Sequence, residues 1–283
     1  MVPLIRFDKY ESVTAFQKEV SSFLEQDEAA NNLLLGVLQS LVEQDTTPLF
    51  MAAVRKNDDI GLVLLQTQPK QIILSKPTAL SSQDIQELGE KLVQTVQPIP
   101  GLIGEKKVTT ELARYVSLAQ GTSANVHMEQ IIYKLEKVKN TLQTNGKLRR
   151  VIASDHPVIK EWVYQFCQET NQAISLEDAS SKATFLINKG NLVAWEVNGE
   201  LVSMATATRP TRHNITISYV YTPINQRKKG YASDCVSDYT QRLLNRGYQT
   251  TSLYADQSNP TSNYVYRQIG YEPIMDSIVI QFQ

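Results

Sequence analysis

Apolar residues along the first half of the chain alternate between helical and strand spacing. A helical stripe is clearest between Asn31 and Val42, where leucine and valine recur every three or four residues. The pattern predicts, in order, a strand, two helices, three strands, a helix, a short apolar run, a helix and a strand. Their approximate bounds are Pro3–Phe7, Tyr10–Glu25, Asn31–Val42, Leu49–Arg55, Ile60–Gln66, Gln71–Leu74, a helix from Ser81 or Ser82, Gly101–Ile103, Thr110–Ala119 and Met128–Leu135.

The second half repeats this order with stronger signals. Asn198-Gly199 joins two alternating segments and predicts a tight β-hairpin, and Gly247 is placed to end a long helix. The predicted elements are a strand at Lys147–Ala153, a helix from about Ser154 through Cys167, strands at Asn191–Val197, Glu200–Thr206 and Asn214–Tyr221, a helix at Lys229–Arg246, a strand at Thr250–Ala255, a helix at Pro260–Ile269 and a strand at Asp276–Phe282. Two similar domains of the mixed α/β class follow, residues 1–135 and 148–283, joined by a polar linker over residues 136–147.

Composition narrows the classes of function. The 283 residues are 42% hydrophobic and 20% charged, which suits two folded domains with sizeable cores. A net charge of −1 disfavours nucleic acid and an anionic membrane as partners. Two distant cysteines and three scattered histidines predict neither a disulfide framework nor a metal site. No apolar segment has the length of a signal peptide or a membrane span, so a cytoplasmic location is expected.

The segment Val220–Ala232 carries the first candidate chemistry. It runs from the end of a strand into a helix, where backbone N–H groups lack acceptors and the helix dipole is positive. Gly230 allows the backbone to approach a ligand closely. Three consecutive basic residues, Arg227 to Lys229, add charge. Together these features predict a binding site for an anion such as a pyrophosphate, although a basic cluster at a turn can also be an ordinary solvated surface.

A second segment makes the first more specific. Residues 259–271 read N-x-x-S-x-x-V-Y-x-x-x-G-Y, and residues 220–232 read V-Y-T-P-x-x-Q-R-x-x-G-x-A. On these two motifs, in this order and about thirty residues apart, residues 148–283 resemble the GNAT superfamily of acyl-CoA N-acyltransferases. The motif at residues 220–232 corresponds to the cofactor motif of that family, Q/R-x-x-G-x-G/A, and the motif at residues 259–271 corresponds to its last helix.

The resemblance implies an acetyl-CoA-dependent N-acetyltransferase that transfers the acetyl group directly to a primary amine of a small molecule or peptide. Acetyl-CoA would be the acyl-donor substrate, and no metal is implied. The strand before the loop would separate from its neighbour at a bulge. Tyr266 would protonate the leaving thiolate. The implied cofactor-binding residues are Tyr219, Val220, Tyr221, Thr222, Arg227, Lys228, Lys229, Gly230, Tyr231, Ala232, Asn259 and Tyr266.

Several alternatives stay open at this level. Tyr266 could pack in the core, and Asn259 could cap the helix that begins at Pro260. The strand Asn214–Tyr219 has no carboxylate to act as a general base, so none is assigned, with Glu196, Asp256, Glu272 and His213 as remote candidates. A second hypothesis is therefore a non-catalytic CoA-binding sensor or interaction protein. Cys235 is expected to be a small buried side chain and not a nucleophile.

Residues 1–135 repeat the elements but not the motifs. The segment Lys76–Leu80, which follows the corresponding strand, has no R-x-x-G-x-A, and no N…Y-x-x-x-G-Y follows Gly104. This half is predicted to be a degenerate GNAT-like domain that does not bind CoA, but shapes the acceptor cleft or covers a sheet edge. The expected partners are acetyl-CoA and a small amine, with the acceptor and the oligomeric state left open.

Overall fold

The computed structural model describes residues 5–78, 80–170 and 172–283. These residues form two compact units. The first contains the described residues up to Tyr133 together with Tyr254–Asn259 and Pro273–Gln283, and the second contains Lys134–Leu253 and Pro260–Glu272. The start of the predicted first strand, Pro3 and Leu4, lies outside the described residues.

The helices and strands of the described residues follow the α/β order expected from the sequence. The strands are β1 (Arg6–Lys9), β2 (Phe50–Lys56), β3 (Asp59–Gln66), β4 (Ile72–Leu74), β5 (Gly101–Glu105), β6 (Ala124–Leu135), β7 (Lys147–Arg150), β8 (Leu192–Val197), β9 (Glu200–Thr208), β10 (Asn214–Tyr221), β11 (Thr250–Asp256) and β12 (Glu272–Phe282). The α-helices are α1 (Val13–Leu24), α2 (Asn32–Glu43), α3 (Ser82–Thr95), α4 (Lys106–Gln120), α5 (His156–Glu169), α6 (Leu176–Lys189), α7 (Tyr231–Asn245) and α8 (Pro260–Ile269).

The first unit is a mixed sheet with helices on both faces. Its strand order is β1-β2-β3-β4-β5-β12-β6, with β4 and β5 parallel. Successive side chains of a strand point to opposite faces. On β3, Leu64 packs with Leu88 of α3, whereas Leu65 packs with Leu38 of α2. The C-terminal strand β12 pairs antiparallel with β5 in this unit, so the units are discontinuous in sequence.

The second unit has the strand order β11-β10-β9-β8-β7. The pairs β9–β10, β8–β9 and β7–β8 are antiparallel, and β10 and β11 are parallel. The predicted hairpin turn is confirmed, because Asn198 and Gly199 both have positive φ, +51° and +85°. Met204 of β9 packs under α5 and α6, and its neighbour Ser203 faces the thiol of Cys235 in α7. The helix pair and α7 therefore cover opposite faces of the sheet.

Two features differ from the sequence expectation. Helix α6 was not predicted, although Ser175 and Asp178 form a complete capping box at its start. The predicted strand Lys147–Ala153 ends at Arg150, because a 3₁₀ turn occupies Ala153–Asp155. The remaining boundaries differ by a few residues at element ends, with α4 and β12 each beginning four residues earlier than expected.

The predicted linker has no helix or strand between residues 136 and 146, but it is attached to α7. The carboxylate of Asp234 is fully buried and accepts hydrogen bonds from the N–H groups of Gln143 (3.1 Å) and Thr144 (2.7 Å) and from the Thr144 hydroxyl (2.6 Å). The indole N–H of Trp195 donates to the same hydroxyl at 2.9 Å. The linker is therefore part of the packed structure of the second unit.

Candidate functional site

The loop between β10 and α7 leaves a run of backbone donors open. Lys228 and Gly230 both have left-handed φ, +63° and +85°, and Gly230 caps α7 without a side chain. The Arg227 N–H donates to the Ile224 carbonyl at 3.3 Å, and the helix ladder begins at Asp234 N–H. No acceptor among the described residues takes the N–H groups of Lys228–Ala232. Such a concave run of amides at a helix N-terminus is suited to bind an anion.

The side chains around this loop leave it electropositive. Lys228 and Lys229 are exposed, and the Lys229 ammonium contacts the Gln226 side chain at 2.8 Å. Asp234, in the first turn of α7, would oppose an anion, but its carboxylate is buried against the linker. A Cβ at Gly230 would meet only the Thr144 methyl, at 3.5 Å, so the positive φ and not a lack of space favours glycine there.

The Arg227 side chain does not extend freely into solvent. Its Nε donates to the Thr222 carbonyl at 2.9 Å, and its Nη2 donates to both carboxylate oxygens of Glu169 at 2.7 and 2.8 Å. Sequence reasoning missed Glu169, because an exposed glutamate near the end of a helix gives no pattern.

The end of β10 carries the bulge that the resemblance implied. The register between β10 and β9 shifts between Ser218 and Tyr221, and Tyr219 has φ +50°. In the described residues the register pairs β10 with β11 only from Asn214 to Ile217, four residues short of the end of β10. Beyond Ile217 the strand no longer pairs with β11, whereas Tyr221 still pairs with Met204 of β9, so the open backbone edge at this end of β10 is the one toward β11.

Side chains at this bulge pack on the α5–α6 face. The Tyr219 ring lies 4.9 Å from the Phe166 ring, and burial raises the pKa of the Tyr219 hydroxyl to about 12. The Tyr221 hydroxyl donates to Gln165 Oε1 at 2.5 Å. The buried Thr222 hydroxyl donates to Ser203 Oγ at 2.9 Å. Since these side chains have partners inside the unit, any contact of this segment with a cofactor falls to its backbone.

Tyr266 is 8% exposed and lies in α8 with its ring edge toward Tyr271, the centroids 6.1 Å apart. The Tyr271 hydroxyl pairs with Thr240 Oγ1 at 2.9 Å and Thr251 Oγ1 at 2.8 Å, which fixes the end of α8 against α7 and β11. Burial raises the pKa of Tyr266 well above its ordinary value. The phenol therefore stays protonated at neutral pH and can act as a hydrogen-bond donor.

Asn259 lies in the turn that precedes α8. Its N–H donates to the Asp256 carbonyl at 3.1 Å, and the Asp256 carboxylate accepts from the Ser258 N–H at 2.8 Å. This Asx-type turn is formed by Asp256 and not by Asn259, so the helix cap that the alternative assigns to the Asn259 side chain stays a prediction. The contact of the Asn259 side chain with a cofactor likewise stays a prediction.

The remote candidates for a general base have other roles. Arg149 holds the pKa of Glu196 below its usual range, and Lys139 does the same for Glu272. His213 precedes the first residue of β10, so the eight-residue strand separates it from the loop by roughly 25 Å. Burial raises the pKa of the Cys235 thiol to about 12, which opposes a nucleophilic role.

Two kinds of feature are absent from the described residues. No three His, Cys, Asp or Glu side chains come together as a metal-ion site. None of the described helices combines the length and apolar character needed to cross a membrane.

The comparisons with known proteins agree with this geometry. The acetyltransferase (GNAT) family model matches residues 157–271, which include the loop, the bulge and α8. No curated protein sequence matches the chain.

Solved structures share the fold of nearly the whole chain. A GCN5-related N-acetyltransferase from Sphaerobacter thermophilus is 14% identical, with a TM-score of 0.64 over 97% of this chain and 94% of that one. A GNAT-family acetyltransferase from Colwellia psychrerythraea is 10% identical, with a TM-score of 0.63 over 98% of both chains. A tandem GNAT protein from the clavulanic acid biosynthesis pathway is 11% identical, with a TM-score of 0.54 over 99% and 98%. At these identities the likeness concerns the fold alone, and it confirms the expected fold of two GNAT-like halves.

Proposed function

Because residues 157–271 form a domain of the acetyltransferase (GNAT) family, we propose that the protein transfers the acetyl group of acetyl-CoA directly to a primary amine of a small molecule or peptide. The observation that carries the proposal is the run of open amides at Lys228–Ala232, next to the bulged end of β10. A pyrophosphate needs several converging donors and a positive environment, and this loop offers both. The donor set present therefore fits the diphosphate of CoA.

In this proposal the backbone does most of the binding. The amides of the loop hold the diphosphate, with Lys228 and Lys229 contributing charge. The backbone of Tyr219–Thr222, at the bulged end of β10, holds the pantetheine arm. Asn259 contributes a further hydrogen bond near the pantetheine.

The chemistry is a single acyl transfer. The amine nitrogen forms a bond to the thioester carbonyl carbon while the carbon–sulfur bond breaks. The N–H of Val220 or Tyr221 stabilises the negative charge that develops on the carbonyl oxygen. Tyr266 donates a hydrogen bond or its proton to the departing sulfur. Its raised pKa keeps the proton available across the neutral range. The proton lost by the amine leaves through a group that is not assigned.

Tyr266→Phe tests the assignment of the acid. We expect turnover to fall about a hundredfold, the lower end of general-acid contributions, while the Kd for acetyl-CoA stays within about twofold. Tyr264→Phe is the matched control, because Tyr264 lies on the same helix and is 65% exposed. CoA release from acetyl-CoA in the presence of an amine measures the rate, and calorimetry measures the Kd. An unchanged rate in Tyr266→Phe would show that the acid assignment is wrong.

A second candidate function is a non-catalytic CoA-binding sensor or interaction protein. The absence of a carboxylate on Asn214–Tyr219 favours it, because no obvious group on that strand deprotonates an amine. A panel of amino acids, polyamines, aminoglycosides and peptide N-termini separates the two candidates. Acetyl-CoA binding without release of CoA for any amine would support the sensor, and turnover of one amine would support the enzyme.

A further inference from the structure

The guanidinium of Arg227 joins three parts of the second unit. Its Nε reaches the Thr222 carbonyl at the end of β10, and its Nη2 reaches the carboxylate of Glu169 in the last turn of α5. Its Cζ lies 5.7 Å from the centroid of the Tyr221 ring. The Tyr221 hydroxyl donates a hydrogen bond to Gln165, which is also on α5. Two separate contacts therefore connect this helix to the end of β10 and to the loop that follows it.

This geometry leaves Arg227 a poor candidate for a phosphate ligand. Nη2 contacts both oxygens of Glu169, at 2.7 and 2.8 Å, so a full negative charge already compensates the guanidinium. Both side chains are about 40% exposed, so the ion pair by itself adds little to stability. The planar guanidinium donates in two fixed directions, so it holds the Thr222 carbonyl and the end of α5 in a defined position relative to each other. A lysine has no such fork.

We infer that Arg227 and Glu169 are positioning residues that hold the amides of Lys228–Ala232 in a concave arrangement, and that the guanidinium does not bind the phosphates. The inference rests on the proposed function, because the ligand of those amides is the diphosphate of CoA. It also links cofactor binding to α5, because the end of that helix sets the position of Arg227.

Glu169→Gln gives the sharpest test, because a purely electrostatic role and a positioning role predict opposite changes in the Kd for acetyl-CoA. If Glu169 acted only through its charge, its removal would make the surroundings of the phosphates more positive and would tighten binding of acetyl-CoA. If it positions Arg227, binding weakens, and we expect the Kd to rise about tenfold. Glu200→Gln is the matched control, because it also removes one carboxylate from the second unit but lies exposed at the turn of the β8–β9 hairpin. We expect the control to change the Kd less than twofold.

The dependence of the Kd on salt provides a second readout that loss of structure does not mimic. A side chain that contacts phosphate adds to the salt dependence of binding, whereas a positioning residue does not. We expect the double variant Arg227→Gln, Glu169→Gln, which leaves the local net charge unchanged, to weaken acetyl-CoA binding without changing the slope of log Kd against log salt concentration. The double variant Lys228→Gln, Lys229→Gln should reduce that slope. Melting temperatures of all variants, measured without ligand, show that each is folded.

The outcomes separate this inference from the proposed function. If the wild-type protein does not bind acetyl-CoA, the proposed function fails, and this inference fails with it. If the wild type binds but Glu169→Gln binds equally well or more tightly, only the positioning role is wrong. A flatter salt dependence in the double variant Arg227→Gln, Glu169→Gln would likewise show that the guanidinium contacts phosphate.

Discussion

The two units differ most clearly at the start of one helix in each, α3 in the first unit and α7 in the second. Each of these helices follows the first strand of a parallel pair, β4 before α3 and β10 before α7. Ser81 begins α3 with a full capping box, in which the Asp84 carboxylate accepts from the Ser81 N–H at 2.7 Å. The Lys56 ammonium pairs with the same carboxylate at 2.5 Å. Gly230 begins α7 with no capping side chain, and the nearby Asp234 carboxylate binds the linker.

This difference shows how one fold either makes or closes an anion site. In α3 the Asp84 carboxylate accepts from the Ser81 N–H and the Ser81 hydroxyl accepts from the Asp84 N–H, so side chains of the capping box take up donors at the start of the helix. In α7 the capping side chain is absent and the carboxylate is turned away, so the donors remain open for a ligand. The comparison supports the prediction that the first half of the chain does not bind CoA. It also indicates that binding depends more on the omitted cap than on the basic residues beside it.

The largest expected effect comes from closing the α7 site with a carboxylate. Gly230→Glu places a negative charge at the position of the proposed diphosphate site, and it forces a residue with a side chain to adopt a φ of +85°. Since juxtaposed like charges cost several kcal/mol, we expect acetyl-CoA binding to weaken about a thousandfold in calorimetry. Gly199→Glu is the matched control, with the same φ of +85° and open space around its Cβ. Equal losses of binding in both variants would mean that backbone strain, and not the site, is responsible.

The next largest effect is expected at Asp234, the acidic residue in the first turn of α7 whose carboxylate binds the linker. The Asp234 carboxylate accepts hydrogen bonds from two N–H groups and one hydroxyl of the linker. In Asp234→Asn one carboxylate oxygen becomes an NH₂ group, whose donors would face these donors without an acceptor between them. We expect the free energy of unfolding of the second unit to fall by about 3 kcal/mol and residues 136–146 to become sensitive to protease. Asp238→Asn, which loses only an exposed pair with Arg242, should change stability by less than about 0.5 kcal/mol. A stable Asp234→Asn variant with a protected linker would contradict this account.

The corresponding acid of α3 should affect the stability of its unit but not CoA binding. Asp84→Asn removes the contact with Lys56 and one half of the capping box, and we expect a loss of about 2 kcal/mol in denaturant unfolding. Acetyl-CoA binding should not change. Weaker binding in this variant would mean that the first half of the chain takes part in the cofactor site.

Asp84 also predicts a pH dependence. Burial by itself raises the pKa of this carboxyl, but the hydrogen bonds from Lys56 and Ser81 outweigh it, and the pKa in the folded state lies below its ordinary value. The contribution to stability is therefore complete above the unfolded pKa of about 3.9 and is lost as the pH falls through the lower, folded value. Between pH 7 and pH 3 the difference in stability between wild type and Asp84→Asn should shrink. A constant difference over that range would contradict the expected pKa shift.

Local signals were sufficient for much of this architecture. The Asn198-Gly199 turn, the strand Asn214–Tyr221 and the helix Pro260–Ile269 follow from turn chemistry and apolar spacing, and they agree with the structure. The loop before α7 was predictable because glycine and proline mark the ends of neighbouring elements. Such features are encoded within a few consecutive residues.

Other features depend on contacts between distant residues and gave no local signal. The pairing of β12 with β5, the burial of Asp234 under the linker and the bond between Arg227 and Glu169 each join segments at least 58 residues apart. A polar segment such as 136–146 resembles a flexible linker until the buried carboxylate that binds it is known. The position of the loop between β10 and α7 could therefore be predicted from the sequence, but the groups that hold it in place could not.

Helix α6 has a local signal in the sequence, the capping box of Ser175 and Asp178 at its start. The smallest expected effect concerns this cap. Ser175 Oγ accepts from the Asp178 N–H at 3.0 Å and donates to its carboxylate at 2.7 Å, so Ser175→Ala should lower the free energy of unfolding by about 1 kcal/mol. Ser181→Ala, at an exposed position within the same helix, should be neutral or slightly stabilising, because alanine has the higher helix propensity. Denaturant melts of both variants provide the measurement. Because α6 and α5 together cover the bulge of β10, a loss confined to Ser175→Ala would show that the capping box stabilises that cover, whereas equal behaviour of the two variants would show that tertiary packing alone fixes the helix.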